Sequence, residues 1–300
     1  MNGILNIYKE AGYTSFDVVA KLRGILKFRK IGHTGTLDPA ATGVLPVCIG
    51  KATKLCELLT DETKTYEAVL LLGVRTDTLD MQGEILDKND VYCTADEAER
   101  CVMSFVGEQE QIPPMYSAIK INGKKLYELA RKGISVERKP RKVCFYEIKI
   151  LDIDMPRIRF SVTCSKGTYI RSLCADIGDK LGCGGCMESL IRTRTGGFCI
   201  ENAYKLSEIE EFVNKNELDK ALICTDRVFE KYPRVESTAQ YDKTVHNGGK
   251  LPAEGCIFEH AFDGDGVTRV RMYDSDGIFI GIYGCDTASR ILSPVKMLCE

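Results

Sequence analysis

Residues 157–181, RIRFSVTCSKGTYIRSLCADIGDKL, change hydrophobic period over a few residues, and that change constrains the fold more than any other stretch. RIRFSVTC alternates polar and apolar side chains at period two, which predicts a half-buried strand. Ile170, Leu173, Cys174, Ile177 and Leu181 then recur at helical spacing, so a helix starts near Tyr169. A strand followed this directly by a helix means that the chain mixes both element types, α/β in class. Tyr169 and Arg171 stand at the junction, where helix amides favour an anion. YEAVLLLG, residues 66–73, predicts a further strand. YTSFD, residues 13–17, predicts a helix start, with Thr14 and Asp17 at capping-box spacing. Phe16, Val19, Ala20 and Leu26 are expected on its buried face, and Lys21, Arg23, Lys27, Arg29 and Lys30 supply a basic edge. From about residue 233 short strands and turns take over, including the hairpin VTRVRMYDSDGIFIGIYG. The chain is expected to divide into a large domain, 1–232, and a small β-barrel-like module, 233–300.

The basic edge leads into GHTGTLDPAATGVLP, residues 32–46, a Gly/Thr/Pro-rich stretch with a single carboxylate, Asp38. One reading treats Asp38-Pro39 as helix punctuation, with Asp as N-cap and Pro in the first turn. The other lets the glycines bring backbone close to a large ligand, while Asp38 supplies a nucleophile or general base. The stretch alone leaves both open. The following GVLPVCIGKAT is not a phosphate-binding loop, because six residues separate its glycines and Ala52 replaces the hydroxyl that would hold magnesium.

Composition narrows the class. No apolar run approaches the roughly 18 residues needed to span a bilayer, and the start lacks a secretory pattern, so a cytoplasmic protein is expected. The 14 cysteines are scattered, unlike the close spacing of a secreted disulfide scaffold. Cys183-Gly-Gly-Cys186 lacks a second ligand pair, since neither His246 nor His260 belongs to one, and no metal is expected there. Net charge is only −2, yet residues 120–142 hold nine Lys and Arg against two Glu, whereas 84–110 hold eight acids against two bases. Such segregation is the footprint of a phosphate-backbone partner, with a solvated basic surface as the bland alternative.

Five segments in order, KEAGYTS (9–15), GHTGTLDPAATGVLP (32–46), KTY (64–66), PPMYSAIKINGKKLYELARKG (113–133) and SKGTYIRSL (165–173), resemble the TruB family of bacterial tRNA pseudouridine-55 synthases. The resemblance is strong over about residues 3–210 and weak in the tail, which is similar to a PUA RNA-binding module. It implies a mixed, largely antiparallel sheet flanked by helices. It also implies isomerisation of uridine-55 in the T arm of tRNA, with Asp38 as the catalytic carboxylate and Tyr66 stacked on the base. Tyr169 and Arg171 would line the pocket, Tyr169 as the suspected acceptor of the C5 proton. His33 would hold the RNA in its flipped form, and Leu190 would form an apolar wall. The basic insertion at about 113–142 would clasp the T arm, with Lys9, Lys124, Lys125, Arg138 and Arg141 at the RNA backbone. Glu10 departs from the family's usual Pro, which loosens the turn after Lys9. Turning a uracil and rejoining it through C5 oxidises nothing and adds nothing, so no cofactor is required, and a monomer acting without a protein partner is expected. A non-catalytic RNA-binding or RNA-folding protein on the same scaffold, with Asp38 as a turn cap, is the alternative.

Overall fold

The computed structural model describes residues 1–121, 123–259 and 266–298; His260 lies outside them. In chain order the strands are β1 (Gly3–Lys9), β2 (Ile31–His33), β3 (Thr42–Ile49), β4 (Lys64–Leu72), a hairpin of β5 (Val74–Thr76) and β6 (Ile85–Lys88), and β7 (Gly107–Gln111). A second small hairpin, β8 (Lys120–Ile121) and β9 (Lys124–Lys125), precedes β10 (Arg141–Asp154), β11 (Arg157–Cys164), β12 (Gly185–Thr195), β13 (Phe198–Cys199) and β14 (Leu222–Ile223). The tail adds β15 (Arg234–Ser237), β16 (Leu251–Pro252), β17 (Cys256–Phe258), β18 (Val267–Tyr273), β19 (Phe279–Asp286) and β20 (Ile291–Met297). The helices are α1 (Ser15–Leu26), α2 (Cys56–Thr60), α3 (Ala95–Met103), α4 (Leu126–Ala130), α5 (Ile170–Lys180), α6 (Leu206–Asn214) and α7 (Asp242–His246).

The larger sheet has ten strands in the order β14-β1-β3-β12-β4-β11-β10-β7, with β2 on β3 and β13 on β12. Its pairings are antiparallel except β3 with β12, so the mixed, largely antiparallel sheet is as expected. The smaller sheet runs β16-β20-β19-β18-β15-β17, which is the expected β-rich tail. Among the described residues no helix is long and apolar enough to cross a membrane.

Residues paired across neighbouring strands share a face. Lys9 pairs with Gly43, Gly43 with Arg192, and Arg192 with Tyr66, which forms one row across four strands. On the same face, Leu5, Ile7, Leu45 and Val47 pack under α1 and α6. Tyr66, Ala68, Leu70 and Leu190 pack with residues of α3 and α5. The row therefore lies between two apolar clusters. On the reverse face Ile4, Val44 and Cys48 pack with Phe229 and with Ile282 and Leu298 of the tail.

Local signals explain the elements. Thr14 caps α1 through the amide of Asp17, and the Asp17 carboxylate accepts from the amide of Thr14. Tyr169 is the N-cap of α5, whose buried side chains include Ile170, Leu173, Cys174 and Ile177. The predicted face of α1 needs correction: Ser15, Val18, Val19, Leu22 and Leu26 are buried, while Ala20 is exposed and Phe16 is 70% exposed. The helix punctuation reading of Asp38-Pro39 also fails, because the chain bends at Pro39 and Ala40 and enters β3 at Thr42 without a helix.

Gly43 is where the row is tightest. Its φ is +105, a region L side chains rarely adopt, and an added Cβ would run into the backbone of Arg192. Gly43→Ala should lower stability by at least ~2 kcal/mol, read as a lower urea midpoint at unchanged slope. A parent-like midpoint would show that β12 does not press on β3 here.

Candidate active site

The loop 34–41 has little regular structure of its own, and cations anchored in the sheet hold it. Lys9 ends β1 with no exposed surface. Its ammonium donates to the carbonyls of Ala41 at 2.7 Å, Pro39 at 3.1 Å and Glu10 at 3.1 Å. Burial pulls its pKa down to about 8, with Arg192 acting in the same direction and Asp38 against it. Lys9 therefore braces the loop from behind rather than meeting the RNA backbone, which corrects the expectation for it. A turn follows Lys9 with Glu10 in place, and the Gly12 amide ties it to the loop by donating to the Pro39 carbonyl at 2.9 Å.

Arg192, in β12, is 1% exposed. Its Nε donates to the Val44 carbonyl at 2.7 Å, and its terminal nitrogens reach those of Gly35 and Thr36 at 3.3 and 3.5 Å. Ser15, at the start of α1, accepts from the Leu37 amide at 2.9 Å. The backbone on both sides of Asp38 is thus fixed, which aims its carboxylate at α5.

There Arg171, in the first turn of α5, receives it. Arg171 Nε lies 2.9 Å from Asp38 Oδ2, and Nη2 donates to Oδ1 at 3.1 Å, a two-point pair. The guanidinium also donates to the carbonyls of Thr78 at 3.1 Å and Tyr116 at 2.9 Å. Asp80 approaches to 3.6 Å and is itself oriented by the Thr78 hydroxyl and the Gln82 amide. The Arg171 side chain is 6% exposed and that of Asp38 36%, so the carboxylate faces the open side. Desolvation raises the Asp38 pKa above the ordinary carboxylate value, and Asp80 adds to the rise while Arg171 opposes it. The two-point pair with the Arg171 guanidinium favours the carboxylate form.

Tyr66 and Leu190 are buried in the cluster under α3 and α5 that also holds Leu37 and Ala41, so both lie at the base of the loop. Tyr169 is half-buried, and its backbone is clasped by the Gln111 amide, which accepts from its N–H at 2.8 Å and donates to its carbonyl at 3.0 Å. Burial raises the Tyr169 phenol, which is neutral at rest and poorly suited to act as a base. His33 ends β2, and its Nδ1 accepts from the Gly35 amide at 3.3 Å. Burial lowers its pKa, so the ring is neutral.

The structure brings Asp38, Arg171, Tyr66, Tyr169, Leu190 and His33 around one loop. The basic insertion lies beyond, with Lys124 and Arg141 exposed. Arg138 donates to the Pro113 carbonyl at 3.0 Å, and Lys125 packs on the Tyr127 ring. Sequence reasoning missed Arg192, Gln111 and Asp80. Arg192 shares strand parity with Leu190, which was available as a signal. The thiol of Cys183 donates to backbone carbonyls and Cys186 faces Met81. Among the described residues no cluster of three or more metal-ligating side chains occurs.

A site built on a paired aspartate and aromatic walls fits base chemistry, and comparison with known proteins gives it a family. Residues 23–170 match the N-terminal domain of TruB family pseudouridylate synthases, and 171–230 match the C-terminal domain of tRNA pseudouridylate synthase B. The chain is 53% identical to tRNA pseudouridine synthase B of Lachnoclostridium phytofermentans, over 99% of each chain. It is 46% identical to the enzyme of the same name from Clostridium kluyveri, over 94% of this chain and 95% of that one. Among solved structures it is similar to a chain of an H/ACA RNP bound to a substrate RNA containing 2'-deoxyuridine. That match has a TM-score of 0.76 at 25% identity, covering 99% of this chain and 85% of that one. A Cbf5-Nop10-Gar1 complex matches with a TM-score of 0.74 at 29% identity, covering 96% and 79%. The chain therefore belongs to the TruB family of pseudouridylate synthases, and it is an isomerase.

Proposed function

We propose that this enzyme isomerises uridine-55 in the T arm of tRNA, as a cytoplasmic monomer, with Asp38 as the catalytic carboxylate. The observation that carries the reading is the two-point pair between Arg171 and Asp38 at the base of an open site. The names of the relatives support tRNA as substrate. The reaction breaks the bond from N1 to C1′, turns the uracil, joins C5 to C1′ and loses the C5 proton to solvent while N1 takes one up. A stacked base must be extruded first, at a cost of a few kcal/mol. Tyr66 and Tyr169 offer aromatic faces for it, Leu190 a wall, and His33 a ring to fill the vacated space. A neutral His33 suits that task, since a charged ring would resist entry into a stack. The chain divides at about residue 232, with the tail as an RNA-binding module similar to PUA domains.

Asp38→Asn keeps the size of the side chain and removes the charge. On a T-arm stem-loop tritiated at uracil C5, tritium release should vanish while affinity stays within a few-fold. Substantial release would make Asp38 structural, whereas binding without release by the parent would favour a non-catalytic RNA-binding role. Tyr169→Phe should retain release within about tenfold, because a neutral phenol is a weak base. A loss of 10²–10⁴-fold, the usual weight of acid–base catalysis, would instead put the hydroxyl in the proton transfer.

The acid limb of kcat/KM should lie above the ordinary carboxylate range, because burial raises the Asp38 pKa and the ionised form is the active one. Rate falls as pH drops through that value. Asp80 contributes to the rise as a like charge, so Asp80→Asn should move the limb to lower pH. A limb that moves upward would show that Asp80 acts mainly by holding Arg171.

Affinity for tRNA should fall steeply with salt despite the net charge of −2, since phosphate contacts release counterions. Lys124→Gln with Arg141→Gln should flatten the slope of log affinity against log salt by about 1–2. An unchanged slope would remove the insertion from the interface.

A further inference from the structure

The misassigned face of α1 leads to a second site. Phe16 and the basic edge that follows it open onto a shallow groove of about 490 Å³, lined also by His33, Thr53 and Cys56. Phe16 meets the His33 ring edge to face, with centroids 5.3 Å apart and planes at 87°, and is otherwise exposed. Arg23, Arg29 and Lys30 line the same groove, and among the described residues no acidic side chain does. Arg23 is held in place by its own hydrogen bonds to the carbonyls of Arg29 and Ile31, at 3.1 and 3.2 Å. A fixed cation thus stands beside an exposed aromatic face. The pairing suits a nucleotide, whose base stacks on the ring while its phosphates meet the cations.

We propose that this groove binds a second, non-target nucleotide of the substrate RNA, stacked on Phe16 with its phosphates against Arg29 and Lys30. His33 belongs both to the groove and to the segment leading to Asp38, so the two sites are continuous along the RNA. An extruded base leaves its neighbours unstacked, and the Phe16 platform, joined to the Asp38 segment through His33, recovers stacking for one of them. Charge decides between partners: a groove lined by cations and an aromatic ring favours a polyanion with flat bases over an apolar peptide. The inference rests on the proposed RNA substrate and adds the position at which a neighbouring nucleotide is held.

The test uses the full chain and T-arm stem-loops in which each loop nucleotide in turn is made abasic. Phe16→Ala should weaken binding of the intact loop by roughly 5–150-fold, the weight of one base stacked on an aromatic ring. One abasic RNA, altered outside the target position, should lose a similar factor in the parent and lose nothing more in Phe16→Ala. Arg29→Gln with Lys30→Gln should also flatten the salt slope by about 1–2. Tyr92→Ala, at an 87% exposed aromatic in the acidic segment, should leave affinity unchanged. Parent-like affinity of Phe16→Ala, or an equal added loss on every abasic RNA, overturns the inference. So does competition by poly-aspartate as strong as that by RNA of equal charge, which would assign the groove to an acidic polypeptide. Pseudouridine formation by the parent reads the proposed reaction separately. Turnover without dependence on Phe16 sinks the groove alone, and binding that depends on Phe16 without turnover sinks the reaction alone.

Discussion

The row Lys9, Gly43, Arg192 and Tyr66 is the constraint on which the site depends. A loop without regular hydrogen bonds must find partners for its carbonyls elsewhere. Here two buried cations in the sheet supply them, Lys9 to residues 39 and 41 and Arg192 to residues 35, 36 and 44. Gly43 lies between those cations and has no side chain, so β12 can close on β3 in the parallel pairing while both long side chains turn toward the loop. Fixing the backbone on either side of Asp38 leaves its carboxylate little freedom except toward Arg171.

Burying so much positive charge is unfavourable by itself, as the lowered pKa of Lys9 records. Carbonyl dipoles offset part of the cost, and Asp38 both raises the Lys9 value and pairs with Arg171. The acid is thus attracted from two sides while its own desolvation pushes the other way. The outcome is a carboxylate placed by geometry and kept reactive by partial exposure. A fully neutralised, fully buried pair would be more rigid and less available to a substrate.

Much of this was legible in the sequence where periodicity governs. The strand 157–164 has the bounds its alternation predicts, and Tyr169 caps α5 where the helical spacing begins. Failures fall where a side chain's type misleads about its surroundings. Phe16 reads as core, yet a shift of one position puts Ser15 in the buried face and leaves the ring in solvent, because Ser15 is needed to bind Leu37. Lys9 reads as an RNA contact and Arg192 draws no notice, because burial of a cation is rare unless many acceptors converge on it. Loop carbonyls are invisible to composition, so those acceptors were invisible as well. The size of the pull on Asp38 is set in the same way, since its desolvation depends on walls contributed by distant segments.

Arg171 joins parts of the molecule that no sequence window connects. Its guanidinium is shared among Asp38, the Thr78 carbonyl beside the hairpin of β5 and β6, and the Tyr116 carbonyl within the basic insertion. Each partner uses a separate direction of the planar fork, so losing one does not free the others to compensate. Removing the Tyr116 carbonyl would leave a buried donor unpaired, at a cost of about 1–3 kcal/mol. The insertion is therefore held near the site by the same side chain that orients the carboxylate. Any shift of the insertion is felt at Asp38 through one guanidinium, without a change in the sheet beneath.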